Sequence, residues 1–172
     1  MKIAVIGFSG SGKSTLARKL ADYYQLDVLH FDVVQFQPNW VVRNSEEKER
    51  ITKEFMDTHE SWVIDGNYTK LSFDRRMKEA DIILILLFNR WACLHRVVKR
   101  YRKFKNTTRP DMGEGCPEKL DAEFIRWVLF DGRKKNTRKR YLNLKTEYPE
   151  KATVLRNQKQ VDNWLKKQGI HS

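Results

Sequence analysis

Short continuous apolar runs alternate along the chain with stretches in which apolar residues recur at helical spacing. A continuous apolar run of strand length is typical of a strand that is buried on both faces of a sheet. Five strands are predicted on this basis: Lys2 to Ile6, Asp27 to Phe31, Trp62 to Ile64, Ile82 to Phe88, and Ala152 to Leu155.

The stretches between these runs predict helices. The first follows a glycine-rich turn and places Leu16, Leu20 and Tyr24 on one side. The predicted helices are Ser14 to Tyr24, Ser45 (as N-cap) to about His59, Trp91 to about Phe104, Asp121 to Leu144, and Val161 to Lys167. Because strands and helices alternate, right-handed crossovers and a parallel sheet with helices on both faces are expected, an α/β fold. Ligands of such sheets bind at the carboxyl ends of the strands.

The segment between the first strand and the first helix matches the pattern G-x-x-x-x-G-K-[ST] in full, from Gly7 to Ser14. Glycines let the backbone curl so that successive N–H groups point at phosphate oxygens, and the helix N-terminus adds positive charge. Lys13 is expected to reach the β- and γ-phosphates, and the Ser14 hydroxyl to bind Mg²⁺. The predicted phosphate-binding residues are Gly7, Ser9, Gly10, Ser11, Gly12, Lys13, Ser14 and Thr15.

Two acidic residues directly follow predicted strands and are therefore expected at the same edge of the sheet as the phosphate-binding turn. Asp32 is predicted to orient an acceptor hydroxyl, and Asp65 to help hold Mg²⁺. A plain turn role stays open for both residues, and more so for Asp65, because Asp65-Gly66-Asn67 is also good turn chemistry.

The composition indicates a single folded domain and does not indicate a function. A chain of 172 residues with 40% apolar residues fits one folded domain, residues 1–172. Two cysteines, Cys93 and Cys116, form neither a disulfide framework nor a zinc motif. The longest apolar run is too short to span a membrane, and the apolar start is too short for a signal segment. We therefore expect a soluble, cytoplasmic protein.

The net charge of +12 is concentrated in one stretch, which holds 17 Lys and Arg against 6 Asp and Glu between Arg90 and Lys145. Two basic helices that flank a polar loop indicate a lid, at about residues 96–133, whose arginines would stabilise charge on a transferring phosphoryl group. Arg96 and Arg100 lie one turn apart in the first of these helices, Arg133 and Arg140 lie two turns apart in the second, and Arg109 lies in the loop. A nucleic-acid or other anionic surface, and a merely solvated helix face, remain open.

The aromatic residues carry two further expectations. Tyr23, Tyr24, Trp127 and Phe130 are predicted to pack in the core. Trp40 follows Pro38 in the predicted loop after Asp32, where stacking on an acceptor ring is an open alternative.

These features together resemble a known group of proteins. The phosphate-binding turn, Phe31-Asp32, Asp65-Gly66-Asn67-Tyr68 and the helix–loop–helix lid resemble the adenylate-kinase-like branch of P-loop kinases. More narrowly, Arg109-Pro110-Asp111-Met112, followed by Glu114 to Asp121, resembles the bacterial DNA topology modulation proteins.

The resemblance implies a P-loop NTPase fold with a five-stranded parallel sheet, ATP and Mg²⁺ as cofactors, and a set of lid arginines for which Arg96, Arg100 and Arg133 are the candidates. AMP as acceptor is not implied, because adenylate kinases have Asp-Gly-Phe-Pro-Arg where this chain has Asp65-Gly66-Asn67-Tyr68-Thr69. The expected function is a small-molecule kinase with a nucleotide or nucleoside acceptor. A nucleotide-dependent DNA-binding regulator and an NTPase switch remain alternatives, although the sequence has no helix-turn-helix pattern.

Overall fold

The computed structural model describes residues 1–170. Seven strands lie in this part of the chain: β1 (Lys2–Gly7), β2 (Asp27–His30), β3 (Phe36–Gln37), β4 (Val41–Val42), β5 (Trp62–Asp65), β6 (Ile82–Leu86) and β7 (Ala152–Leu155). Five of them form a parallel sheet in the order β2-β5-β1-β6-β7, and β3 and β4 form a small antiparallel hairpin. The predicted α/β fold with a five-stranded parallel sheet is confirmed.

The central strand β1 explains why the sheet is stable and where its functional edge lies. Ile3 to Ile6 are fully buried, as a strand covered by helices on both faces should be. Val5 is in register with Asp65 of β5 on one side and with Leu84 of β6 on the other. The ends of β1, β2 and β5 therefore meet at one edge, with Gly7, His30 and Asp65 next to each other.

Eight α-helices connect or follow these strands within the described residues. They are α1 (Lys13–Tyr24), α2 (Phe31–Gln35), α3 (Ser45–Thr58), α4 (Phe73–Glu79), α5 (Arg90–Phe104), α6 (Ala122–Leu129), α7 (Lys135–Glu147) and α8 (Gln158–Lys167). Among residues 1–170, no helix combines the length and the apolar character needed to cross a membrane.

The single long helix predicted from Asp121 to Leu144 is wrong. It ends at Leu129, a short 3-10 turn spans Asp131–Arg133, and α7 begins at Lys135. Gly132 passes so close to Trp127 that an added Cβ would lie 3.0 Å from its backbone oxygen and its indole nitrogen. The chain therefore turns sharply here.

Two other local predictions are corrected, and one helix was not predicted. The residues after β2 do not form a loop at once, since Phe31 and Asp32 open helix α2. Asn44, and not Ser45, caps α3, and its side chain accepts a hydrogen bond from the Glu47 N–H at 2.7 Å. Helix α4 has no counterpart among the predicted elements.

Candidate active site

The turn between β1 and α1 has the backbone shape that the glycine pattern predicts. Gly10 and Gly12 have φ of 76° and 94°, in the left-handed region that favours glycine. A Cβ on Gly10 would lie 2.7 Å from the Cys93 carbonyl oxygen, so α5 packs directly against the turn. The Ser11 N–H closes the turn by donating to the Phe8 carbonyl at 3.2 Å.

The N-terminus of α1 is left open for an anion. Gly12 offers no side-chain cap, and the first turn has no acidic residue, so the free N–H groups keep their positive field. Lys13 donates only to the Phe8 carbonyl, at 3.3 Å, and the buried Ser11 hydroxyl has no hydrogen-bond partner. The free N–H groups and the Lys13 ammonium fit the phosphates of a nucleotide.

Asn67 fixes the first residue of this turn, and the sequence analysis did not single it out. Its Oδ1 accepts from the Gly7 N–H at 2.8 Å, and its Nδ2 donates to the Gly7 carbonyl. The side-chain amide thus satisfies both backbone groups of one residue. Its place directly after the strand that ends at Asp65 was the available signal, because strand ends of a parallel sheet share one edge.

Asp65 is buried at the end of β5. One of its oxygens lies 3.1 Å from His30 Nδ1, and the other is buried without a hydrogen-bond partner. Asp65 and Ser14 line the same cavity, and a carboxylate with a hydroxyl is an oxygen donor set that suits Mg²⁺. The two residues therefore fit the predicted metal, although residues 1–170 contain no cluster of three or more His, Cys, Asp or Glu that would hold a metal alone.

Asp32 is held from two sides. Tyr68 donates its hydroxyl to Oδ1 at 3.1 Å, and Arg109 Nη2 lies 3.1 Å from Oδ2. Burial raises the pKa of Tyr68, and the charge of Asp32 raises it further, so the phenol stays a donor. The Asp32 side chain is still 40% exposed, which leaves its remaining lone pairs open to a ligand.

Arg109 ties the loop between α5 and α6 to the rest of the site. Its guanidinium pairs with Asp32 at 3.1 Å, Asp111 at 2.8 Å and Glu118 at 3.2 Å. Burial would lower the pKa of Arg109, but these three carboxylates outweigh it and raise the pKa. We call the cluster formed by Arg18, Asp32, Arg100, Arg109, Asp111 and Glu118 the lid cluster.

The outer members of the lid cluster extend the pairing to two helices. Arg18 of α1 lies 2.9 Å from Asp111, and Arg100 of α5 lies 2.7 Å from Glu118. Burial would raise the pKa of Asp111, but Arg109 and Arg18 outweigh it and lower the pKa. The loop is thereby fastened to α1, α2 and α5 at once.

A cavity of about 820 Å³ joins the phosphate-binding turn to Asp32. Of the predicted site residues, it is lined by Ser9, Gly10, Gly12, Lys13, Ser14, Thr15, Asp32, Asp65, Arg96 and Arg100. Gly7 and Ser11 belong to the same turn but do not line the cavity. The size fits a small-molecule ligand.

The three predicted lid arginines occupy different environments. Arg96 donates to the Ser11 carbonyl at 3.2 Å and so lies on the phosphate-binding turn. Arg100 lines the cavity but is paired with Glu118. Arg133 does not line it, because it donates to the carbonyls of Val128 and Phe88 and packs 4.1 Å over the Phe8 ring. Arg133 thus packs against the phosphate-binding turn from behind Phe8, and its Nη2 has no hydrogen-bond partner.

The expectation that Trp127, Phe130 and Tyr23 lie in the core is wrong. Their side chains are half-exposed, at 50%, 55% and 49%. Trp127 instead donates its indole N–H to the Ser9 hydroxyl at 3.1 Å, so α6 contacts the phosphate-binding turn. The break after Leu129 turns this face of α6 toward the cavity.

The positive charge of the 90–145 stretch lies mostly outside the cavity. Four of its 17 basic residues line the cavity, against five of its six acidic residues. The four basic residues are Arg96, Arg100, Arg109 and Lys119, and the five acidic ones are Asp111, Glu118, Asp121, Glu123 and Asp131. The excess of charge therefore faces solvent.

The overall fold is shared with solved structures at low sequence identity. Shikimate kinase from Acinetobacter baumannii, solved in complex with shikimate, aligns over 97% of this chain and 90% of its own, with a TM-score of 0.56 and 16% identity. An uncharacterized protein from Eubacterium ventriosum ATCC 27560 aligns over 98% of both chains, with a TM-score of 0.54 and 16% identity. No protein-family model and no curated protein matches the chain.

These similarities establish what kind of fold surrounds the cavity. At 16% identity they concern the fold alone, and the narrower resemblance to DNA topology modulation proteins remains a prediction from the lid sequence. The chain has the P-loop kinase-like α/β fold.

Proposed function

We propose that this protein is a small-molecule kinase that transfers the γ-phosphoryl group of ATP to an acceptor hydroxyl. The observation that carries the proposal is the shared cavity. The uncapped N-terminus of α1, with Lys13, lines one part of this cavity. Asp32, which is held by two partners but is still partly exposed, lines another. A kinase needs both a phosphate site and an acceptor site in one water-poor space.

The roles of the residues follow from their positions. The backbone of the turn and Lys13 bind the triphosphate, and Arg96 braces the turn from α5. Ser14 and Asp65 would hold Mg²⁺, which neutralises phosphate charge when bound. Arg100 and Arg133 stay predicted lid arginines: Arg100 pairs with Glu118, and Arg133 donates to the Phe88 carbonyl while its Nη2 has no hydrogen-bond partner.

Asp32 acts on the acceptor. It accepts a hydrogen bond from the acceptor hydroxyl and so aims the oxygen at the γ-phosphorus. A bond forms between that oxygen and the phosphorus as the bond to the β–γ bridging oxygen breaks, and ADP leaves. The hydroxyl proton passes to Asp32 or to solvent.

The proposal treats residues 1–172 as one domain with a lid at about residues 96–133. Residues 171 and 172 lie outside the part of the chain that the structure describes. Arg109 fastens the lid loop through three ion pairs. In this proposal an acceptor enters either through the open side of the cavity or when these ion pairs break and the loop moves away.

An acceptor screen tests the function. ATP consumption is measured with hydroxyl compounds added singly, for the parent and for Lys13→Ala. We expect acceptor-dependent turnover in the parent and a loss of about a hundredfold or more in Lys13→Ala, because a phosphate-binding cation is removed. Equal turnover by both proteins, or turnover that no acceptor changes, would contradict the proposal.

A nucleotide-dependent DNA-binding regulator is the second candidate, and the outward-facing basic residues of the 90–145 stretch favour it. This candidate requires DNA affinity that falls steeply with salt and differs between ATP-bound and ATP-free protein. Filter-binding titrations at two salt concentrations, with and without ATP, separate it from the first. Affinity that ignores ATP would leave only general attraction to a basic protein.

A further inference from the structure

We propose, on the basis of the kinase function above, that the acceptor is an uncharged alcohol that carries a flat ring. Its chemical class is that of a nucleoside, and compounds with a phosphate or carboxylate group are excluded. Three observations on the acceptor side of the cavity support this choice: the arginines there are already paired, the wall carries an excess of carboxylates, and two aromatic rings form one side.

The arginines near Asp32 are already paired with carboxylates. Arg109 pairs with three carboxylates, Arg18 with Asp111, and Arg100 with Glu118. An anionic acceptor that took one of these arginines would leave a carboxylate behind. Asp111 and Glu118 are only 6% and 7% exposed, and an unpaired charge at such a depth is strongly destabilising.

One further cation of the acceptor side is Lys119. It is exposed and its ammonium lies 4.6 Å over the Trp40 ring. A single flexible ammonium is a point charge and cannot replace the bidentate grip by which arginine recognises phosphate or carboxylate. Lys13 follows the phosphate-binding turn at the start of α1, Arg96 of α5 donates to that turn, and both would face ATP.

The cavity as a whole carries more acid than base. Seven carboxylates line it, against six Lys and Arg side chains. ATP brings further negative charge, so a second anion would enter against an unfavourable field. An uncharged acceptor avoids this repulsion.

The ring contacts come from the segment between α2 and β4. Phe36 and Trp40 line the cavity with ring centroids 5.1 Å apart and planes at 69°. Trp40 donates its indole N–H to the Pro117 carbonyl at 3.2 Å, which fixes the ring against the lid loop. A fixed, half-buried indole that lines the same cavity as Asp32 is a stacking surface for a flat ring whose hydroxyl reaches the carboxylate.

The direct test uses matched pairs of ligands and the parent protein. The phosphate-binding turn is first filled with a non-hydrolysable ATP analogue and Mg²⁺. Adenosine, guanosine, cytidine and thymidine are then titrated by calorimetry against their 5′-monophosphates. We expect at least one nucleoside to bind, with its monophosphate at least about tenfold weaker.

Two results would overturn the inference: a monophosphate that binds as tightly as its nucleoside, or no nucleoside binding up to about 10 mM. Because binding is read without turnover, the proposed function fails separately. A nucleoside that binds but is never phosphorylated would contradict the kinase and leave the acceptor site standing. Transfer to a monophosphate would support the kinase and refute the neutral acceptor.

Substitution at Trp40 tests the ring contact. Trp40→Ala is expected to weaken nucleoside binding by about tenfold, whereas Trp40→Phe keeps most of it, because a flat ring is retained. Binding of the ATP analogue should stay unchanged in both. Equal nucleoside affinity in the parent and in Trp40→Ala would show that the acceptor ring does not stack on Trp40.

Asp111→Asn tests the charge argument by a gain of binding. The substitution frees donors of Arg18 and Arg109, so monophosphate affinity should rise by about tenfold relative to nucleoside affinity. Glu114→Gln removes the same charge from an exposed position of the same loop that does not line the cavity, and the ratio should not change there. An unchanged ratio in Asp111→Asn, with folding verified by its melting curve, would contradict the pairing argument.

Discussion

Asn67 has a clear role in the structure, which depends on two backbone hydrogen bonds. Its amide accepts from the N–H of Gly7 and donates to the carbonyl of Gly7, so β5 and the phosphate-binding turn are locked together. Gly7 itself has φ of 137°, a conformation that needs support as well as a glycine. Asn67 thus positions the turn and needs no contact with a phosphate.

Removing this amide should weaken nucleotide binding. Asn67→Ala leaves two backbone groups unpaired, which is expected to cost about 1–3 kcal/mol of unfolding free energy and about tenfold in ATP affinity. Urea unfolding and ATP titration measure the two effects. Asn163→Ala, at an exposed position of α8, is the matched control and should change neither. Wild-type ATP affinity in Asn67→Ala would show that the turn holds its shape unaided.

At the scale of elements, the lid loop is fastened by one guanidinium that holds three carboxylates. Arg109, itself in the loop, joins Asp32 of α2 to Asp111 and Glu118 of the loop. Such a cluster is strongly cooperative, because removing its centre leaves buried carboxylates facing one another.

Arg109→Ala should therefore destabilise the fold by about 3–5 kcal/mol and expose amides 105–121 to hydrogen exchange. The control is Arg126→Ala in α6, whose ion pair with Asp131 is 74% exposed on the arginine side and should contribute less than about 1 kcal/mol. Exchange rates are measured by mass spectrometry. Unchanged exchange of the loop in Arg109→Ala would show that other contacts hold the lid.

The same cluster predicts a loss of stability in acid. The pKa of Asp111 is lowered in the folded state, so its contribution is complete above the unfolded value, about pH 3.9, and is lost as pH falls through the lower folded value. Asp111→Asn should flatten this part of the profile. Chemical unfolding between pH 6 and pH 2 measures it. Parallel profiles for parent and variant would contradict the assignment.

At the scale of the whole molecule, the strands were predictable because their signal is local. The buried part of β1 is a continuous apolar run, Ala152–Leu155 is apolar except for Thr153, and both strands lie where the sequence indicates. Helix α4 was missed because it is short and charged, and its apolar face includes Arg76. That arginine is fully buried, donates to three carbonyls, and has its pKa lowered to about 9 by burial.

In the candidate site, too, the features with a local sequence signal were predictable, and those that depend on contacts between distant residues were not. The turn from Gly7 to Ser14 is one contiguous motif, so its shape could be expected from the sequence alone. The pairing of Asp32 with Arg109 joins residues 77 positions apart and depends on how the loop folds back. The outward placement of the basic residues depends likewise on helix orientation, which a charge count does not contain.

The central claim is phosphoryl transfer from ATP to a small acceptor, and the fate of a labelled phosphate tests it most directly. ATP labelled at the γ-phosphate is incubated with Mg²⁺ and the tightest-binding acceptor, and the products are separated by chromatography. We expect the label to move to the acceptor in the parent and to stay on ATP in Lys13→Ala. Label that is found only as inorganic phosphate, or that moves equally in both proteins, would contradict it.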